Sequence, residues 1–203
     1  MRTSEYRCFV RKLASPPKTV RIGLKKAFRT KRVVNLSHAI LGFKAETGEM
    51  LQALTPYLLG YQITPDAVLH AKEEAGDALF FLTLASDSLK VKLPHFNRKV
   101  RTKDTVHALL LYLDGYATDM LDVLKKSMYG AELDEKKLAE VLPKAINTLY
   151  SLSWSLFGVV PAALVEQNVA KLKTRYPAGF TTDRALKRNR KNETTAMRSS
   201  API

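Results

Sequence analysis

The sequence predicts an all-α fold, a helical bundle, and three observations carry that prediction. Apolar residues recur at intervals of three and four through most of residues 33–176. No segment alternates apolar and polar residues between turn signals, as a half-buried strand would. The breaks between periodic stretches hold helix punctuation: Thr64 and Pro65, Gly130, Asp134, and Pro161.

The elements follow in order. Leu36, Ile40, Phe43, Thr47, Met50, Leu51 and Leu54 form one face of a helix from about 33 to 54. A second helix covers 66–90, after Thr64 as N-cap and Pro65 in the first turn. Its middle, ALFFLTLA, is apolar on all sides, which predicts a central, buried position. A third runs from about 104 to 128 and stops near Gly130, and a fourth follows Asp134 over about 135–158. Pro161 opens a fifth, which must end before Pro177. Trp154 is expected in the core.

Shifting the chain by 70 residues superposes Leu41, Met50, Leu51, Leu54, Gly60, Ala75, Leu79 and Leu82 on Leu111, Met120, Leu121, Leu124, Gly130, Ala145, Leu149 and Leu152 without a gap. The caps Thr64 and Asp134 coincide as well. This reads as two helix–loop–helix units in tandem, an intact one over 33–91 and a degenerate one over 104–176.

The composition of the 203-residue chain, 46% hydrophobic and 26% charged, is that of a globular domain with extensions. Its single cysteine, Cys8, excludes an internal disulfide framework and a cysteine-rich zinc site. Basic residues interrupt the amino terminus, so no signal peptide is expected. No apolar run reaches the ~18 residues of a membrane span. The expectation is a cytoplasmic protein without a membrane partner. The net charge of +14 resides in the flanks: +10 over residues 1–32, −1 over 33–174 and +5 over 175–203. That partition predicts a basic N-terminal extension (1–32), a helical domain (33–188) and a disordered basic tail (189–203). The flanks are expected to be solvated and to attract nucleic acid only weakly.

Two acidic pairs carry the candidate chemistry. Glu46 and Glu49 are three residues apart, as are Glu74 and Asp77, so each pair projects from one helix face. Glu74 and Asp77 share a stripe with Phe81 and Leu84 in the most apolar helix, while Glu46 and Glu49 lie with the small residues Ala39, Gly42 and Ala53. Four carboxylates facing one another would repel and resist desolvation. A hard divalent cation, Mg²⁺ or Mn²⁺, resolves that conflict. A di-iron bundle calls for Glu-x-x-His pairs, which are absent. The positions aligned in the second unit are Tyr116, Asp119, Lys144 and Asn147, which cannot build the same site. Lys144 could instead supply a cation.

Asn168, Lys171 and Arg175 share one face of the fifth helix, the complementary sign for a polyphosphate. Tyr176 is a candidate to stack on a base, and Asn35 and His38 are candidates for base contact. His38, His70, His95 and His107 show no metal-ligand spacing, and no Gly-rich phosphate loop is present.

The Glu-x-x-Glu at 46–49, the Glu-x-x-Asp at 74–77 within EEAGD, and NVAKLKTRYPAGF at 168–180 together resemble the MazG-like members of the all-α nucleoside triphosphate pyrophosphohydrolase superfamily. The tandem layout is similar to the dimeric dUTPase branch. The resemblance implies Mg²⁺-dependent hydrolysis of a nucleoside or deoxynucleoside triphosphate, dUTP or dCTP among them, to the monophosphate and pyrophosphate. It also implies a homodimer, metal held by Glu46, Glu49, Glu74 and Asp77, and triphosphate contacts from Lys171, Arg175 and their neighbours. The competing expectation is an inactive helical scaffold that binds nucleic acid or a protein partner through its basic flanks.

Overall fold

Residues 3–13, 17–187 and 189–199 are described by the structure, a computed structural model. All regular secondary structure among them is helical. Two basic helices come first, α1 (Thr3–Leu13) and α2 (Pro17–Ala27). Four long helices follow: α3 (Lys31–Leu58), α4 (Pro65–Leu89), α5 (Val106–Met128) and α6 (Glu135–Phe157). Then come α7 (Pro161–Arg175), α8 (Thr182–Leu186) and α9 (Arg190–Ser199). Among the described residues no single helix is long and apolar enough to cross a membrane.

Each long helix begins at a side-chain cap. Thr30, Thr64, Thr105 and Asp134 accept hydrogen bonds from the amides of Val33, Ala67, Ala108 and Lys137 at 3.3, 3.2, 3.2 and 2.9 Å. Caps of this kind are worth about 1 kcal/mol each. Thr30 starts α3 two residues earlier than the apolar stripe indicates, and Pro56 does not stop it.

The core lies between α3–α4 and α5–α6, around Phe43, Met50, Leu82, Leu113, Met120 and Tyr150, all without exposure. The α3–α4 pair packs closely because Gly42 has no side chain: a Cβ there would lie 2.3 Å from the Phe81 ring. The two pairs keep the offset of 70. Leu59 and Tyr129 cap α3 and α5 with nearly identical φ/ψ of −90°/5° and −91°/8°. Gly60 and Gly130 follow at φ of 80° and 95°, the left-handed region that only glycine enters without strain. Lys44 of α3 forms an ion pair with Asp114 of α5, 70 residues on.

The connection between the pairs is long but pinned. The Tyr150 hydroxyl donates to the Pro94 carbonyl at 3.1 Å, and the Ala162 amide donates to the Phe96 carbonyl at 3.0 Å. Trp154, expected in the core, is half-buried instead, with the Lys99 ammonium 4.4 Å from its ring centroid.

The carboxy-terminal flank differs from the sequence-based expectation. Residues 190–199 are helical rather than disordered, because Glu193 and Met197, one turn apart, are 2% exposed. Glu193 binds Arg175 through two hydrogen bonds of 2.9 and 2.5 Å, so a residue that composition assigns to solvent anchors α9 on α7. Residues 200–203 lie outside the described residues. At the other end, α2 docks on the end of α5 through Gly23, where a Cβ would lie 2.1 Å from the Met128 carbonyl oxygen. Gly23→Ala is expected to lower stability by about 1–3 kcal/mol in urea unfolding, as overpacking against rigid backbone does. Gly48→Ala, whose Cβ would meet nothing within 4 Å, should instead raise it by up to ~1 kcal/mol through helix propensity.

Candidate functional site

Antiparallel packing of α3 on α4 brings the four acids together. Carboxylate oxygens of Glu46, Glu74 and Asp77 lie within 4.8 Å of one another, and so do ligand atoms of Glu49, His70 and Glu74. Glu74 belongs to both groups and is 5% exposed; Glu46 and Asp77 are half-buried and Glu49 is exposed. His70 was not expected here. Its Nε2 lies 2.9 Å from Glu74 Oε1, and the two are four residues apart on α4. A search for His three residues after Glu passes over this order, although i,i+4 neighbours share a face equally well.

Burial, a hydrogen bond to Glu74 and the neighbouring carboxylates push the Glu46 carboxyl from its ordinary 4.5 up to about 9. Burial also raises Glu74, partly offset by the bond it accepts from Glu46. Glu46 therefore holds its proton at neutral pH.

Helix α7 closes the seam from the side. Gly76 lets it approach: a Cβ there would lie 3.3 Å from both Asn168 Cβ and the Leu164 carbonyl oxygen. The Asn168 amide donates to Asp77 Oδ1 and the Lys171 ammonium to Asp77 Oδ2. Lys171 has no exposure, and its Nζ also lies 3.3 Å from Glu73 Oε1. Glu73 was not foreseen either, because it is offset from the Glu74–Asp77 stripe.

The other predicted residues are dispersed. Arg175 is engaged by Glu193, and its guanidinium lies 5.8 Å from the Tyr176 ring centroid. Tyr176 itself packs on Phe180, with ring centroids 5.3 Å apart. His38 meets Phe81 edge-on at 5.3 Å, beyond the Asp77 end of the acidic seam, and Asn35 is half-buried one turn further away. Lys144 is exposed on α6 and touches none of the four acids among the described residues. Asn147, aligned with Asp77, has a buried Oδ1 without a hydrogen-bond partner among the described residues.

At the His70 end the seam opens into a cavity of about 350 Å³ between α4 and α9. His70, Glu73 and Glu74 line one wall, and Arg190, Thr194 and Arg198 the other. No protein-family model, curated protein or solved structure matches this chain. What the site can do follows from its own chemistry. Oxygen donors from Glu46, Glu49, Glu74 and Asp77, with the His70 imidazole beside them, form a donor set that hard divalent cations take. The proton held on Glu46 marks the charge such a cation would replace.

Two predictions follow from this electrostatic arrangement. Lys171→Met removes a fully buried ammonium from the half-buried Asp77 and should cost about 3–5 kcal/mol in urea unfolding. An exposed phosphate-binding lysine would change stability by less than ~0.5 kcal/mol. The second concerns pH. Because the folded-state pKa of Glu46 lies above the unfolded one, its folded form holds the proton more tightly, and that contribution is complete below about 4.5. It is lost as pH rises to about 9, so the metal-free protein should become less stable across that window and Glu46→Gln should flatten the slope.

Proposed function

We propose that this chain is a Mg²⁺-dependent nucleoside triphosphate pyrophosphohydrolase of the MazG-like kind. The observation that carries the reading is the convergence of Glu46, Glu49 and Asp77 on the buried Glu74, beside a cavity with arginines on its far wall. Glu46, Glu49, Glu74 and Asp77 would hold the ion. When bound, it supplies charge neutralisation on the phosphate oxygens and a more acidic water for attack at the α-phosphorus.

The protein's own groups prepare that chemistry. Lys171 and Asn168 fix both oxygens of Asp77 and leave its remaining lone pairs to the seam. His70 orients Glu74 in the same way through Nε2. Glu46 would give up its proton to an entering positive charge, and Glu49 is exposed to solvent. Phe81 and His38 flank the opposite end of the seam and offer an aromatic surface for a base. In this reading the 33–91 unit is the working one. The 104–176 unit, with Lys144 and Asn147 at the ligand positions, buttresses it as a decayed copy within the same chain.

Pyrophosphate release measured across the common ribo- and deoxynucleoside triphosphates tests the proposal. Turnover should require Mg²⁺ or Mn²⁺ and vanish with EDTA. Glu46→Gln and Glu49→Gln should each lower kcat by about 10²-fold or more while the helical circular-dichroism signal is unchanged. Turnover that survives chelation, or both substitutions, would overturn it.

A further inference from the structure

The cations expected to meet the phosphates are already engaged inside the fold. Lys171 is fully buried between Asp77 and Glu73, and Arg175 is 13% exposed in its two-bonded pair with Glu193. A substrate reaching for either would have to break a buried ion pair, at a cost that a new phosphate contact does not clearly exceed. The cavity beside Glu74 has other cations. Arg190 and Arg198 border it from α9, and both side chains are exposed. Among the described residues Arg190 has no ion-pair partner, and Arg198 meets only Asp66 at 3.3 Å. That pair is 62% and 89% exposed, the kind of surface contact that a ligand displaces at little cost.

We propose that α9 forms the phosphate-binding wall of the site, with Arg190 and Arg198 as the groups that take the polyphosphate. The proposal rests on the hydrolase reading for its substrate and on the cavity for its location. At about 350 Å³ the cavity falls within the ~300–1,000 Å³ range of small-molecule pockets. Its walls have opposite character. The α4 wall carries Glu73, Glu74 and His70, and the α9 wall carries two guanidinium groups. Glu193 adds no net charge to the α9 wall, because Arg175 neutralises it. A ligand with a divalent cation on one side and anionic oxygens on the other fits that division, and a metal-bound polyphosphate is such a ligand. Arginine suits the role because its planar fork binds two phosphate oxygens at once. The residues are eight apart, about 12 Å along the helix, so they reach into the cavity from its two ends. Glu193 and Met197, buried between them, hold α9 in the register that aims both arginines at the cavity.

The test uses the full chain and two double variants of equal charge change, Arg190→Gln with Arg198→Gln and Lys187→Gln with Lys191→Gln. Steady-state kinetics on the preferred triphosphate are paired with calorimetry of inorganic tripolyphosphate in the presence of Mg²⁺. The arginine variant should raise KM and the tripolyphosphate Kd about tenfold or more, with kcat within about twofold, as loss of charge-assisted hydrogen bonds predicts. The lysine variant should leave both constants within about twofold. Unchanged constants in the arginine variant, or an equal rise in both variants, would overturn the proposal, as would a gain in kcat that marks α9 as a plug. Arginine-dependent tripolyphosphate binding without turnover upholds this site and removes the hydrolase reading. Turnover without arginine dependence does the reverse, and absence of both removes both.

Discussion

Like charge in the seam between α3 and α4 is the constraint to which the surrounding structure responds. Carboxylates at positions 46, 49, 74 and 77 cannot all be ionised and dry at once. Each is answered differently. Glu46 keeps a proton and gives its hydrogen bond to Glu74. His70 sits against Glu74, and Glu49 stays in solvent. Asp77 receives an ammonium and an amide from α7, whose close approach is eased by the glycine at residue 76. The seating of α7 and the burial of a lysine with no exposure follow from an acid placed about three turns inside α4.

Replacing a buried ion pair by apolar groups of similar volume is often neutral or stabilising, whereas removing one partner is strongly destabilising. Ala39, Ala71, Ala75 and Ala78, on the two helices that carry the acids, are fully buried. Perturbed carboxyl groups beside a cavity are the usual signature of sites kept for chemistry.

The four long helices were legible because their burial is continuous: Leu36, Ile40, Phe43, Met50 and Leu54 are all without exposure, as their stripe predicts. The acids were legible because residue type and spacing agree, with carboxylates at i and i+3 on faces that are otherwise apolar or small. What spacing cannot give is depth. Lys171 and Arg175 lie one turn apart on the same helix, yet one has a fully buried side chain and the other depends on Glu193 from a later helix. Helix α9 escaped notice for the same reason. In a mean over its composition Glu193 counts as solvated, whereas the ion pair with Arg175, eighteen residues earlier, helps make its burial tolerable. His70 is not legible from a Glu-x-x-His pattern, because its partner Glu74 follows it by four residues.

The ion pair between Lys44 and Asp114 bears on how such bundles choose their partners. The two residues occupy the same place in their respective helix pairs, and α3 and α5 cross where they meet. In a symmetric assembly of identical hairpins, residues near the axis face their own copies. Lysine would then face lysine, or aspartate would face aspartate, and either mismatch is repulsive. Opposite charges at this crossing favour the mixed pair over both self-pairs. For the two hairpins of one chain, that preference adds to their packing a term that identical hairpins meeting at the same place would lack.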